Sequence, residues 1–349
     1  ETLDFDGYTL EKFAYESEPG TWVPAHLYMP AERDGPVPAI IRSNGHGGSK
    51  SAFTSQYSGQ LWTKAGIAVL TTDPLGEEER DPDAKMGTRT HDRVSEQAQA
   101  LGRPVVGSMV LDLMAGIDIL QAREEIDAER IGVAGSSLGA IVGMYLTALD
   151  DRVKCAVLSA MYFVPPRTEK FCTRGLYELI EDRVDYPTLL SLAAPRCAIK
   201  ILCGDDDAIC GKRETYEQGF IPFEHETSAL FEALGHAEHF STHVYPNAGH
   251  RPYFLMPEAL DWLVEHLGAT SPGELPMMRL SDWADANGIV FETLYGTPDH
   301  LGGTTVPDIG AAYMQPSELA CLTDEERRQP EYTTEGWLDR AAAKQGDTQ

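Results

Sequence analysis

The sequence predicts an α/β fold, a mostly parallel central sheet with helices on both faces. Short apolar runs rich in strand formers, at residues 38–42, 66–73, 131–134, 154–159 and 198–203, read as buried strands. Helical spacing recurs between them, as in Met109, Leu113, Ile117 and Leu120. Strands that alternate with helices call for parallel pairing and cover on both faces of the sheet.

In chain order, residues 8–15 and 22–29 alternate partly and are separated by Glu18-Pro19-Gly20, which reads as an antiparallel pair at a sheet edge. The strand at 38–42 runs into Ser43-Asn44-Gly45-His46-Gly47-Gly48, a glycine-rich loop able to turn backbone N–H groups toward one point. A helix is expected around 53–65 and a strand at 66–73. Residues 74–106 are polar and rich in Gly, Pro and charge, and read as one long loop of the kind that shapes a site. A core-facing helix over 105–123 leads to the strand at 131–134, with a further helix over 140–149 and a strand at 154–159. Residues 161–194 lack a steady period and are expected to form a lid-like insertion over the rim. The strand at 198–203, helical spacing at 227–234, a short strand at 242–245 and a helix at 257–267 complete a catalytic domain of residues 1–268. Ser271-Pro272-Gly273 links it to an extension, 269–349, expected to pack on the domain or on a partner subunit, with short helices at 280–287 and 335–344.

The 349 residues include 28 Lys and Arg against 55 Asp and Glu, a formal charge of −27. So acidic a surface disfavours nucleic acid and anionic membranes as partners. No run of eighteen apolar residues is present, so no membrane span is expected. The six cysteines fall at 155, 172, 197, 203, 210 and 321, several in apolar runs, and read as buried free thiols of a reducing, cytoplasmic setting; Cys203 and Cys210 could bridge a short loop. The sequence begins at Glu1, so removal of a leader and secretion stay open.

The chemistry converges on Gly135-Ser136-Ser137-Leu138-Gly139, a Gly-x-Ser-x-Gly pentad between a strand and a helix. Such a turn needs small residues on either side of the serine so that strand and helix approach closely and the hydroxyl of Ser137 stands clear. A serine hydroxyl is a weak nucleophile until a base removes its proton, and that base needs an orienting acid. Asp207 follows the strand at 198–203 and His250 follows the strand at 242–245, giving the order Ser, Asp, His. Asp205 and Asp206 are rivals to Asp207 if the turn is shifted. His236 and His239 are three apart, but without a matching acidic set they read as solvated; no metal and no cofactor is expected.

On these residues the chain resembles the α/β-hydrolases, and within them the acetyl xylan esterase-like and dienelactone hydrolase-like branch. The resemblance covers roughly residues 6–267. It adds Asn44-Gly45-His46-Gly47-Gly48, Asp73-Pro74-Leu75-Gly76, Gly87-Thr88-Arg89-Thr90-His91 and Ile126-Asp127-Ala128-Glu129-Arg130-Ile131-Gly132. It implies hydrolysis of small acyl esters, commonly acetyl esters of sugars, through an acyl-enzyme on Ser137, with Asp207 and His250. The oxyanion would be held by the backbone N–H groups of Leu138 and of His46, or of Gly48 in the other alignment. Two departures stand out: Asn44 replaces the family's usual histidine, and Ala140 follows the pentad where a second glycine is usual. Arg80, Arg89 and His91, basic groups on the 74–106 loop, are candidates for substrate contact. The expected partner is a small-molecule or saccharide ester, with a homo-oligomer possible. A peptidase, thioesterase or lactone hydrolase using the same triad, or a non-catalytic binding protein on this fold, is the alternative.

Overall fold

The computed structural model describes residues 1–87, 89–163, 172, 183–207, 216–289 and 304–346. Nine strands form one sheet: β1 (Thr2–Phe5), β2 (Tyr8–Glu18), β3 (Thr21–Pro30), β4 (Val37–Ser43), β5 (Ala68–Thr72), β6 (Ile126–Ser136), β7 (Val153–Ser159), β8 (Ala198–Gly204) and β9 (Phe240–Tyr245). Their order across the sheet is β1-β2-β3-β5-β4-β6-β7-β8-β9. The first three strands are antiparallel hairpins, and β3 runs antiparallel to β5. From β5 to β9 every pairing is parallel. The antiparallel edge pair expected from residues 8–29 is present, with β1 added outside it.

Alternation along the parallel strands divides the core. Ile41, Leu70, Val133 and Leu158 point to one face, and Ile40, Val69, Ala134 and Val157 to the other. The first face is covered by α3 (Val105–Gln121), through Leu113 and Ile117, and by α4 (Leu138–Leu149), through Ile141 and Leu146. On the second face lie α1 (Phe53–Thr63), with Tyr57 and Leu61, and α7 (Pro257–Leu267), with Leu260 and Leu263. At about 25 cal/mol per Å² of apolar surface, each of these fully buried side chains contributes roughly 1.5–3 kcal/mol.

Among the described residues, three further helices belong to this body: α2 (Thr90–Ala100), α5 (Tyr186–Ser191) and α6 (Ile221–Ala233). The first corrects the reading of 74–106 as one loop. Within α2 only Thr90, His91, Val94 and Ala98 are buried, so its apolar stripe is too thin to show a period. Of the expected lid, residues 164–171 and 173–182 lie outside the described residues. Cys155, Cys172, Cys197, Cys203 and Cys321 are free thiols; a bridge from Cys203 to Cys210 is therefore not formed, and Cys210 itself lies outside the described residues.

The tail contributes the antiparallel pair β10 (Met277–Arg279) and β11 (Thr305–Pro307), and helices α8 (Leu280–Ala286) and α9 (Thr334–Gly346). Its apolar side chains enter the cores already described: Leu280, Trp283 and Leu319 join the α1 face, and Trp337 joins the other. Gln60 and Gln56 of α1 exchange hydrogen bonds with the backbone of Ala312 and Met314. The Nε2–H of His26 donates to the carbonyl of Leu319 at 2.7 Å. Among the described residues no single helix is long and apolar enough to cross a membrane.

Candidate active site

Ser137 sits between the end of β6 and the start of α4 with φ 58 and ψ −126, a conformation that costs a non-glycine residue on the order of 1–3 kcal/mol. Its neighbours are held by contact. A Cβ on Gly135 would lie 2.2 Å from the carbonyl oxygen of Gly139, and one on Gly139 would lie 2.2 Å from that of Ser43. Both positions therefore require glycine, and the strained serine is fixed in place by the N–H of Ser137 donating to Ser159 at 3.0 Å.

The loop after β4 lies against this turn. A Cβ on Gly45 would meet the carbonyl of Ser136 at 2.5 Å and the nitrogen of Leu138 at 3.4 Å. Asn44, one of the two departures from the family pattern, is structural: its Nδ2 donates to Thr71 Oγ1 and to the carbonyl of Thr72, and its Oδ1 accepts from Ser55. Of the two N–H groups considered for the second oxyanion donor, that of Gly48 is spent on the carbonyl of Gly45 at 3.0 Å.

The turns after β8 and β9 are pressed together. The N–H groups of Asp205 and Asp206 donate to the carbonyls of Tyr245 and Ala248, and a Cβ on Gly204 would lie 1.9 Å from the Ala248 oxygen. This close approach brings Asp207 Oδ2 to 2.7 Å from His250 Nδ1, with each side chain 5% exposed. Asp206 is exposed and Asp205 half-buried; it is Asp207 that meets the imidazole.

Beside the loop, His46 stacks on His91, ring centroids 5.3 Å apart. Burial holds His46 well below the usual histidine range, and the neighbouring His91, Arg89 and His250 act in the same direction. Burial likewise lowers His91, whose Nδ1 lies 2.7 Å from the carbonyl of Leu75. Both rings are therefore neutral near pH 7. Cys172 Sγ is 3.4 Å from His46 Nε2.

The three basic candidates for substrate contact separate. Arg80 is fully buried and its guanidinium is held by Asp112 Oδ2 at 2.5 Å. An arginine sealed in such a pair cannot reach a substrate, so its role is structural. Arg89 is partly exposed and pairs with Asp92 at 2.6 Å. His91 is buried against His46.

Sequence reasoning missed a second charged assembly at this edge. Lys50 is fully buried between Asp73 (2.8 Å), Glu78 (3.0 Å) and Glu79 (2.7 Å). Burial alone would raise Glu78, but Lys50 and the hydroxyl groups of Ser49 and Ser51 hold it at about 2. Burial and the charge of Glu78 push Asp73 up. Glu79 also accepts from the backbone N–H groups of Cys321 and Leu322, clamping the tail. The only signal was the run Glu77-Glu78-Glu79-Arg80, which looks like a solvated face.

The acetyl xylan esterase (AXE1) family matches residues 3–165, the part from β1 to just beyond β7 that includes the Ser137 turn. The Bacillus subtilis protein YtaP is 27% identical over 233 residues, 62% of this chain and 74% of its own. In structure the chain resembles a cold-adapted esterase from an Arctic intertidal metagenomic library, with TM-score 0.54, 21% identity, and 76% and 97% of the two chains covered. It also resembles the methylesterase BT1017, with TM-score 0.58, 17% identity, and 98% and 66% covered. At these identities the structural likenesses speak to the fold. The fold is that of the α/β-hydrolases. Residues 3–165, just under half of the chain, are similar to the acetyl xylan esterase model, and the protein is an enzyme acting on carboxylic esters.

Proposed function

We propose that this protein is a serine esterase that removes small acyl groups, acetyl foremost, from carbohydrate esters, with Ser137, Asp207 and His250 as its triad. The observation that carries the reading is the buried 2.7 Å contact between Asp207 and His250, at the same sheet edge as a serine strained at the strand-to-helix turn. The family match supports the acetyl and carbohydrate preference.

His250 keeps its Nδ1 proton on Asp207, leaving the lone pair of Nε2 to take the proton of Ser137 as its oxygen attacks the ester carbonyl. Asp207 orients the ring and stabilises the imidazolium that forms. The N–H of Leu138, the first residue of α4 and without an intrahelical acceptor, holds the oxyanion together with the N–H of His46. Collapse of the tetrahedral intermediate breaks the bond to the alcohol, which leaves with the proton from His250. Water, deprotonated by the same ring, then attacks the acyl-enzyme and releases the acid. Arg89, at the rim, is the remaining basic candidate for contact with the alcohol portion of the substrate.

The test is a serine-directed fluorophosphonate with peptide mapping, followed by a panel of acetylated sugars, longer acyl esters, thioesters and peptides. Labelling at Ser137 and a preference for acetylated sugars are expected. Absence of labelling would point to a non-catalytic binding protein, and faster cleavage of a thioester or peptide would replace the substrate class.

A further inference from the structure

His46, His91, Asp92 and Cys172 each offer one ligand atom, all four atoms lying within 4.8 Å of one another. They come from three stretches of chain: the loop after β4, the first turn of α2, and the residue Cys172. Two of the atoms, His91 Nε2 and Asp92 Oδ1, are buried and without a hydrogen-bond partner among the described residues. His91 is fully buried, and leaving such a nitrogen unpaired is costly. A polar atom so costly to bury calls for a partner.

We propose that these four side chains bind a structural zinc ion. Zinc bonds of about 2.0–2.1 Å to nitrogen and 2.3 Å to sulfur, at tetrahedral angles, put neighbouring ligand atoms about 3.3–3.6 Å apart. Cys172 Sγ and His46 Nε2 are 3.4 Å apart, and His91 Nε2 and Asp92 Oδ1 are 3.6 Å apart. The latter gap is too long for a hydrogen bond and suits two ligands of one ion. The outer contacts agree. The Nδ1–H of His91 donates to the Leu75 carbonyl, which fixes the tautomer with the Nε2 lone pair facing the cluster, and Arg89 holds Asp92 by its other oxygen, Oδ2. A neutral imidazole pair, a thiol and a carboxylate form a donor set for zinc. On binding, the thiol proton of Cys172 is released to solvent and the thiolate takes its place on the metal.

Four protein ligands leave no open position, so the ion would tie the three segments together and take no part in ester chemistry. The other candidate groups lack this case. Asp73, Glu78 and Glu79 already surround the Lys50 ammonium. His236, Glu238 and His239 lie at the surface, where His239 Nδ1 contacts the carbonyl of Ala194 at 2.7 Å.

The full chain, stripped with chelator under reducing conditions, is titrated with cobalt(II) and then with zinc. One equivalent of cobalt is expected to give intense d–d bands of a tetrahedral site and a thiolate-to-metal charge-transfer band, both displaced by zinc. Cys172→Ser, a change of one atom, should abolish the charge-transfer band. His91→Gln should weaken zinc by more than the 10–100-fold typical of outer-contact substitutions. His239→Ala should change neither. Circular dichroism checks folding, and the wild-type cobalt spectrum stands as a test whatever the variants do. A weak octahedral spectrum, a charge-transfer band that persists in Cys172→Ser, or loss of binding in His239→Ala alone would overturn the site.

Discussion

Two groups of buried charge lie at the carboxyl edge of the parallel sheet, and they have opposite characters. After β8 and β9, Asp207 meets the imidazole of His250, the base of the proposed mechanism. After β5, Asp73 meets Lys50 Nζ, the Lys50 backbone and the N–H of Glu79, and the surrounding carboxylates are satisfied by hydroxyl and backbone donors. In the proposed mechanism the first pair serves to move a proton. The second fixes an ammonium among acceptors and holds loop to tail. A place at this edge does not by itself make a residue functional; the type of base and the saturation of its partners decide it.

Substitutions should separate the two groups by readout. Ser137→Ala should lower kcat by about 10⁶-fold, and Asp207→Asn, which reverses the donor and acceptor at Nδ1, by about 10⁴-fold, each with little change in melting temperature. Steady-state hydrolysis of an acetyl ester measures both, and a fully active Ser137→Ala would end the contrast. Lys50→Met keeps the volume but leaves Asp73, Glu78 and Glu79 facing one another without a counter-charge. A loss of about 3–5 kcal/mol in urea unfolding is expected, with the folded remainder still turning over. Equal stability would mean that the charges there are neutralised by bound protons.

The smallest effect concerns acid. Burial, with Lys50 nearby, lowers His26 from 6.5 to about 3, so the unfolded chain binds a proton there that the folded chain refuses. Stability is complete above pH 6.5 and falls as pH drops toward 3, by roughly 2 kcal/mol at pH 5. His26→Gln should flatten that slope in unfolding curves taken at several pH values. An unchanged slope would assign acid sensitivity to other groups, His46 and His91 among them.

Much of the frame was legible because it rests on local signals. Continuous apolar strands, the 3.6 period of α3 and the pentad at Gly135–Gly139 each announce themselves within a dozen residues. Asp207 and His250 could be singled out because each lies on the turn after a strand, β8 and β9. What was hidden depends on partners distant in the chain. Arg80 looked like a free basic group because Asp112 lies on another element, and α2 was lost in polar sequence because it buries so narrow a stripe. Lys50 gave no sign that three carboxylates from beyond β5 would enclose it, and nothing near Cys172 pointed to His46.

The tail's grip on α1 also sets an order of events in time. Tyr57 donates to the carbonyl of Pro307 across 250 residues of chain, and Gln56 and Gln60 wait as long for Met314 and Ala312. During synthesis the sheet from β1 to β9 is complete before these acceptors leave the ribosome, so the nascent protein passes through an interval with the outer face of α1 uncovered. That face is closed only when the tail's carbonyls reach Tyr57, Gln56 and Gln60.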